Sequence, residues 1–185
     1  LDTDGGKFQS SNLEIIDKFN SITGICERRY APDEINCSDL AAVAAGLAIN
    51  DSKLDQETLD YIIVAHNTGD ISCSSGQVDT LPSVASKVKA KLKIKNPNCV
   101  AYDIICGCPG WVEGIIQAKS FIKSGMAEKC LVIGCDTLSR ILDENDRDSM
   151  IYADGSGAIV LESDSSYDGG ILSHKSATFL SLIHI

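Results

Sequence analysis

The sequence predicts an α/β fold with a layered, largely parallel sheet, and three observations carry that expectation. Short apolar segments rich in β-branched residues recur at 61–65, 100–105, 130–134 and 158–161. Stretches with helical spacing separate the first three of them. The composition is that of a core-forming globular chain: 185 residues, 44% hydrophobic and 23% charged, enough for one domain. Buried strands that alternate with helices need crossover connections, and crossovers give parallel pairing. Catalytic groups in such folds gather at the carboxyl ends of strands.

Taken in order, Leu13, Ile15, Ile16 and Phe19 predict an amphipathic helix over 12–19, with a turn at Thr23-Gly24. Ser38 can cap a helix running to Ala48, whose alanines imply close packing. Residues 61–65 read as a buried strand, and 66–80 as a polar connection. Residues 81–92 predict a helix with Pro82 in its first turn. A second strand follows at 100–105. Ile115, Ile116, Lys119 and Ile122 mark a helix over 112–123 that Gly125 ends. Strands at 130–134 and 158–161 come next, and 170–172 is a candidate fifth.

Charge and composition exclude several classes. Sixteen Lys and Arg against 26 Asp and Glu give a net charge of −10, which argues against unspecific nucleic-acid binding. No run of about 18 apolar residues occurs, so no membrane span is expected. The eight cysteines lack the two-residue gap of zinc or thioredoxin-type sites. Several lie in apolar runs, where Cys acts as a small hydrophobe. Reduced thiols in a cytoplasmic protein are therefore expected, with no metal and no cofactor. The polar start, Leu1-Asp2-Thr3, has no signal-peptide shape and reads as a cut end.

The segment Asp103-Ile-Ile-Cys106-Gly-Cys108-Pro-Gly-Trp111 is the most informative. A strand ends, the chain turns through two glycines, and a helix begins. A Cys at that place faces a helix amino terminus, where the dipole favours thiolate and backbone N–H groups can hold an oxyanion. A packing role for such a Cys is the competing reading. Tyr152-Ala-Asp154-Gly-Ser156-Gly-Ala158 precedes a strand rather than a helix, which rules out a dinucleotide loop. A tight turn with Asp154 bonding backbone N–H groups is expected there. Residues 139–148 form a charged loop, ordinarily a solvated surface.

Thr23-Gly24-Ile25 with Glu27-Arg28-Arg29, Leu81-Pro82-Ser83, Cys108-Pro-Gly-Trp111, Ile133-Gly-Cys-Asp136 with Arg140, Asp146-Arg147, and Asp154-Gly-Ser-Gly-Ala158 occur in that order. Together they resemble the amino-terminal half of β-ketoacyl-acyl-carrier-protein synthase III, in the thiolase superfamily, over about residues 22–176. The resemblance implies a thiolase-like layered fold in which two similar halves share a helical layer, and a homodimer formed through a sheet edge. It implies that Cys108, and not Cys106, is an acyl-accepting nucleophile. The substrates implied are an acyl-CoA or acyl-carrier-protein thioester and malonyl-acyl carrier protein, joined by decarboxylating Claisen condensation. Related condensing enzymes, of the hydroxymethylglutaryl-CoA synthase or head-to-head type, and a non-catalytic partner subunit are the alternatives.

The same resemblance places Arg147 against the nucleotide of CoA and Leu81 in the acyl pocket of a partner subunit. It also exposes departures. An aromatic and an arginine that grip CoA in bacterial relatives are replaced by Lys18 and Ile22. The family's catalytic His and Asn have no match, and neither His66 nor His174 fits their pattern; His66 reads as a loop or core histidine. Lys87, Lys91 and Lys95 are spaced to share a helix face, either a solvated one or a dock for an acidic carrier protein. Leu180 to Ile185 looks like a translated transposon-end sequencing adapter. The expected division is therefore 1–179 as a truncated condensing-enzyme domain and 180–185 as an artefact.

Overall fold

The computed structural model describes residues 6–7, 9–143, 145–166 and 169–179, apart from the side chain of Arg147. The expected adapter-like segment, 180–185, lies outside the described residues. Six main elements follow the predicted order. They are α2 (Cys37–Ser52), β1 (Tyr61–His66), β4 (Val100–Ile105), α4 (Gly110–Lys123), β5 (Lys129–Thr137) and β6 (Asp154–Glu162), with α1 (Asn12–Thr23) ahead of them and α3 (Val84–Lys91) before β4. A small antiparallel pair, β2 (Asp70–Ile71) and β3 (Val78–Asp79), sits inside the stretch expected to be irregular.

The sheet order is β4-β1-β5-β6. β1 runs parallel to both β4 and β5, and β6 returns antiparallel to β5. Successive side chains of a strand point to opposite faces. Ile62, Val64, Leu131 and Ile133 therefore pack with α2 and α3, and Ile63, Cys130 and Val132 pack on the other face with Ala118 of α4. Ile62, Ile63 and Val64 are fully buried, each contributing about 1.5–3 kcal/mol. Continuous apolar runs mark strands covered on both faces.

Glycine lets α4 lie close to the sheet. A Cβ on Gly114 would meet Val132 Cγ1 at 2.9 Å, and one on Gly110 would meet the Ala65 Cβ at 3.2 Å. Gly24 ends α1 in the left-handed region (φ 71°) and donates its N–H to the Asn20 carbonyl at 2.7 Å.

Several element boundaries differ from the sequence expectation. α1 runs on to Thr23. Asn36, not Ser38, occupies the cap position of α2, where its N–H donates to Asp39 at 2.9 Å. Ser38 lies inside the helix because Asp70 engages both its N–H and its hydroxyl. Ser83 caps α3, so Pro82 lies outside its first turn. Residues 154–157 are strand rather than turn, and 171–179 carry no regular secondary structure, so no strand forms at 170–172.

Candidate active site

The junction between β4 and α4 places Cys108. Gly107 turns the chain at φ 67°, which favours a residue without Cβ. Its carbonyl accepts the Gly110 N–H at 3.0 Å. Pro109 takes the cap position of α4. Cys108 thus stands one residue before that cap, beside the positive end of the helix dipole.

Cys108 is exposed and lines an open cleft of about 350 Å³. Gly134, Cys135 and Asp136 from the end of β5, and Asp154 to Gly157 from the start of β6, form its far wall. Cys106 is also exposed but is not part of the lining. Cys135 is, yet it is buried, donates to the Cys37 carbonyl at 2.9 Å and lies 3.1 Å from the Cys37 sulfur. Burial and that neighbour push the Cys37 thiol far above its ordinary range, the Cys135 contact being the largest cause. Among the described residues, Cys108 is the exposed thiol in the cleft.

The wall carboxylates are committed to structure. Asp154 accepts the N–H groups of Ala31 and Ser139 and the Ser139 hydroxyl, so it does bond backbone donors as expected, but from a strand. Asp136 accepts from the Asn67 N–H and side-chain amide at 2.8 and 2.7 Å. Burial pushes its carboxyl up despite those bonds. Trp111 packs over Gly134: a Cβ there would lie 3.2 Å from the indole side chain.

Leu81, Lys18 and Ile22 stand apart from this cleft. Leu81 is 81% exposed on the loop before α3. The backbone of Arg147 opens a short turn of 3₁₀ helix. Lys18 and Ile22 line a separate groove with Glu14, Met150 and Ile151, of about 340 Å³.

The lysines do not form the expected face. Lys87 pairs with Asp70 and Asp79 at 3.0 and 2.7 Å, and Lys91 with Asp39 at 2.6 Å. Lys95 lies beyond the end of α3.

The charged loop is not simply solvated either. Arg140 is largely buried and holds the carbonyls of Ala31, Pro32 and Ile35. His66 is a core histidine, and its Nε2 lies 3.0 Å from Asp103 Oδ2. No short-range spacing announces that pair.

A family model described as 3-oxoacyl-[acyl-carrier-protein] synthase III matches residues 102–178, which include Cys108 and the cleft walls. The β-ketoacyl-[acyl-carrier-protein] synthase III of Ehrlichia canis is 42% identical over 166 residues, covering 88% of this chain and 49% of that protein. The protein of the same name from Neisseria gonorrhoeae is 40% identical over 167 residues, with the same coverage of both. The solved structure of 3-oxoacyl-[acyl-carrier-protein] synthase III from Aquifex aeolicus superposes with a TM-score of 0.70 at 36% identity, covering 83% of this chain and 48% of that one. The chain thus spans about half the length of the relatives it matches. By sequence and by fold, it belongs to the β-ketoacyl-[acyl-carrier-protein] synthase III family of the thiolase superfamily and corresponds to the amino-terminal half of such a subunit.

Proposed function

We propose that this chain is the acyl-accepting half of an acyltransferase that makes 3-oxoacyl thioesters. The observation that carries the reading is Cys108, an exposed thiol in a cleft at a strand–helix junction. Its sulfur attacks the carbonyl of an acyl thioester, on CoA or on an acyl carrier protein. The S–C bond forms, the donor thiol leaves, and the acyl group remains on Cys108. The Cys108 backbone N–H helps to hold the oxyanion of the tetrahedral intermediate. Malonyl-acyl carrier protein then loses CO2, and its α-carbon attacks the acyl-enzyme, releasing Cys108 as thiolate.

The decarboxylation step needs the His and Asn of the family pattern, which this sequence does not match. The 185-residue chain by itself is therefore inactive, and condensation by it alone would contradict the reading. Lys18 and Ile22 in the groove beside α1 weaken the grip on CoA and favour a carrier-protein donor. The complete subunit acts as a cytoplasmic homodimer in which Leu81 reaches the partner's acyl pocket and Arg147 contacts the nucleotide of any CoA donor.

The test is product formation. The complete subunit, given an acyl donor and malonyl-acyl carrier protein, releases CO2 and 3-oxoacyl product in equal amounts, and Cys108→Ala abolishes both. Condensation that survives Cys108→Ala would refute the reading.

A further inference from the structure

We propose that His66 and Asp103 form a positioning pair that fixes the Leu81 loop against the strand leading to Cys108, and thereby sets which acyl chain lengths the site accepts. The proposal rests on the functional reading above and deepens it.

Asp103 lies in β4, five residues before Cys108, and ties three elements together. Its Oδ2 accepts the Val84 N–H at 2.8 Å and its Oδ1 the Ala85 N–H at 2.8 Å, so a carboxylate on the sheet holds the first turn of α3. The same Oδ2 takes the bond from His66 Nε2 at 3.0 Å. His66 closes β1, where it is the register partner of Ile105, the last residue of β4 before Cys106. The pair therefore links the exits of two neighbouring strands to the start of α3.

A simple helix cap does not need this arrangement. Ser83 already caps α3 by accepting the Ser86 N–H. α3 has eight residues and three buried ones, Val84, Ala85 and Val88, too few to fix the position of a short helix by packing alone. Polar anchors supply the rest: Asp103 at its first turn, and Asp70 gripping Lys87 further along. Leu81 projects from the segment just ahead of that first turn and is itself 81% exposed. Its place relative to the sheet is inherited from the Asp103 bonds.

His66 completes the arrangement at a cost that invites a reason. The imidazole is 5% exposed and its Nδ1 is buried without a hydrogen-bond partner. Buried polar atoms in native proteins are nearly always satisfied. The one bond His66 makes locks the Asp103 carboxylate in the rotamer that meets Val84 and Ala85.

The experiment uses the complete subunit and follows Cys108 acylation with short- and long-chain acyl thioesters, beside thermal melts. His66→Leu removes the donor and His66→Gln keeps one. His66→Leu is expected to move the long-to-short rate ratio about tenfold, the discrimination carried by a misfit of one methylene, and His66→Gln to restore it. Since His66 acts through Leu81, His66→Leu should not change the ratio once Leu81 is Ala. If His66→Leu does not fold, His66→Asn, too short to reach Asp103, replaces it with the same expectation. A folded His66→Leu or His66→Asn protein with the wild-type ratio would overturn the proposal, as would full additivity with Leu81→Ala. Wild-type protein that takes no acyl group on Cys108 would instead overturn the functional reading.

Discussion

Single atoms decide much of this site. Asp103 shows how burial and bonding compete for a carboxylate. Burial pushes its pKa up, but the bonds from His66 and from the Ala85 and Val84 N–H groups prevail and hold it below the ordinary range. A carboxyl whose pKa falls on folding stabilises the fold above its unfolded pKa, about 3.9. That stabilisation fades as pH drops through the folded value. Asp103→Asn should therefore cost about 1.5–3 kcal/mol at pH 7, the size of a charge-assisted bond. In denaturant titrations the gap to wild type should close as pH falls below about 3.9; a gap independent of pH would contradict the assignment. Gly114 makes a second case. An alanine methyl there would sit 2.9 Å from Val132 Cγ1, so Gly114→Ala should push α4 off the sheet and lower stability by about 1–3 kcal/mol. An unchanged melting temperature would mean that the helix shifts freely.

At the scale of elements, stability is uneven. α1 is well capped, with the Ser11 hydroxyl accepting the Glu14 N–H and Glu14 accepting the Ser11 N–H in return. Yet it buries no residue, and Leu13 and Ile22 are 73% and 74% exposed. Its amides should exchange with solvent orders of magnitude faster than those of β1 and β5, and Ser11→Ala should speed them further by about fivefold, a cap being worth about 1 kcal/mol. Equal protection of α1 and β1 would refute this.

The central elements are legible in the sequence because their signal is local. The run at 61–65 is continuous and β-branched, 100–105 is apolar at both ends around Asp103, and helix 112–123 repeats its isoleucines at helical spacing. What escapes a reading of the sequence depends on contacts distant along the chain. Asp70, 32 residues away, takes up the Ser38 hydroxyl and displaces it from the cap. Asp39, Asp70 and Asp79 neutralise lysines that spacing alone presents as a free face. β2 and β3 have two residues each, too short for any period. Cys108 stands out by its turn glycines and its family pattern, whereas the His66–Asp103 bond joins residues 37 apart.

At the scale of the molecule, α2 has two apolar faces. Cys37, Ala41, Ala45 and Ile49 meet the sheet side, and Val43 and Leu47, one turn apart, are 64% and 66% exposed. That outer face is apolar and uncovered among the described residues. Expressed alone, these 185 residues should self-associate and bind a hydrophobic dye. Val43→Glu with Leu47→Glu should reduce both without lowering the melting temperature. A monodisperse chain that binds no dye would argue that the face is adapted to solvent.

We propose that Cys108 carries the acyl group. Peptide-level mass spectrometry after brief exposure of the complete subunit to an acyl-CoA or acyl-carrier-protein donor tests it most directly. The expected result is a single acyl adduct on Cys108, absent in Cys108→Ala and retained in Cys106→Ala; an adduct on Cys106, or on neither cysteine, would contradict it.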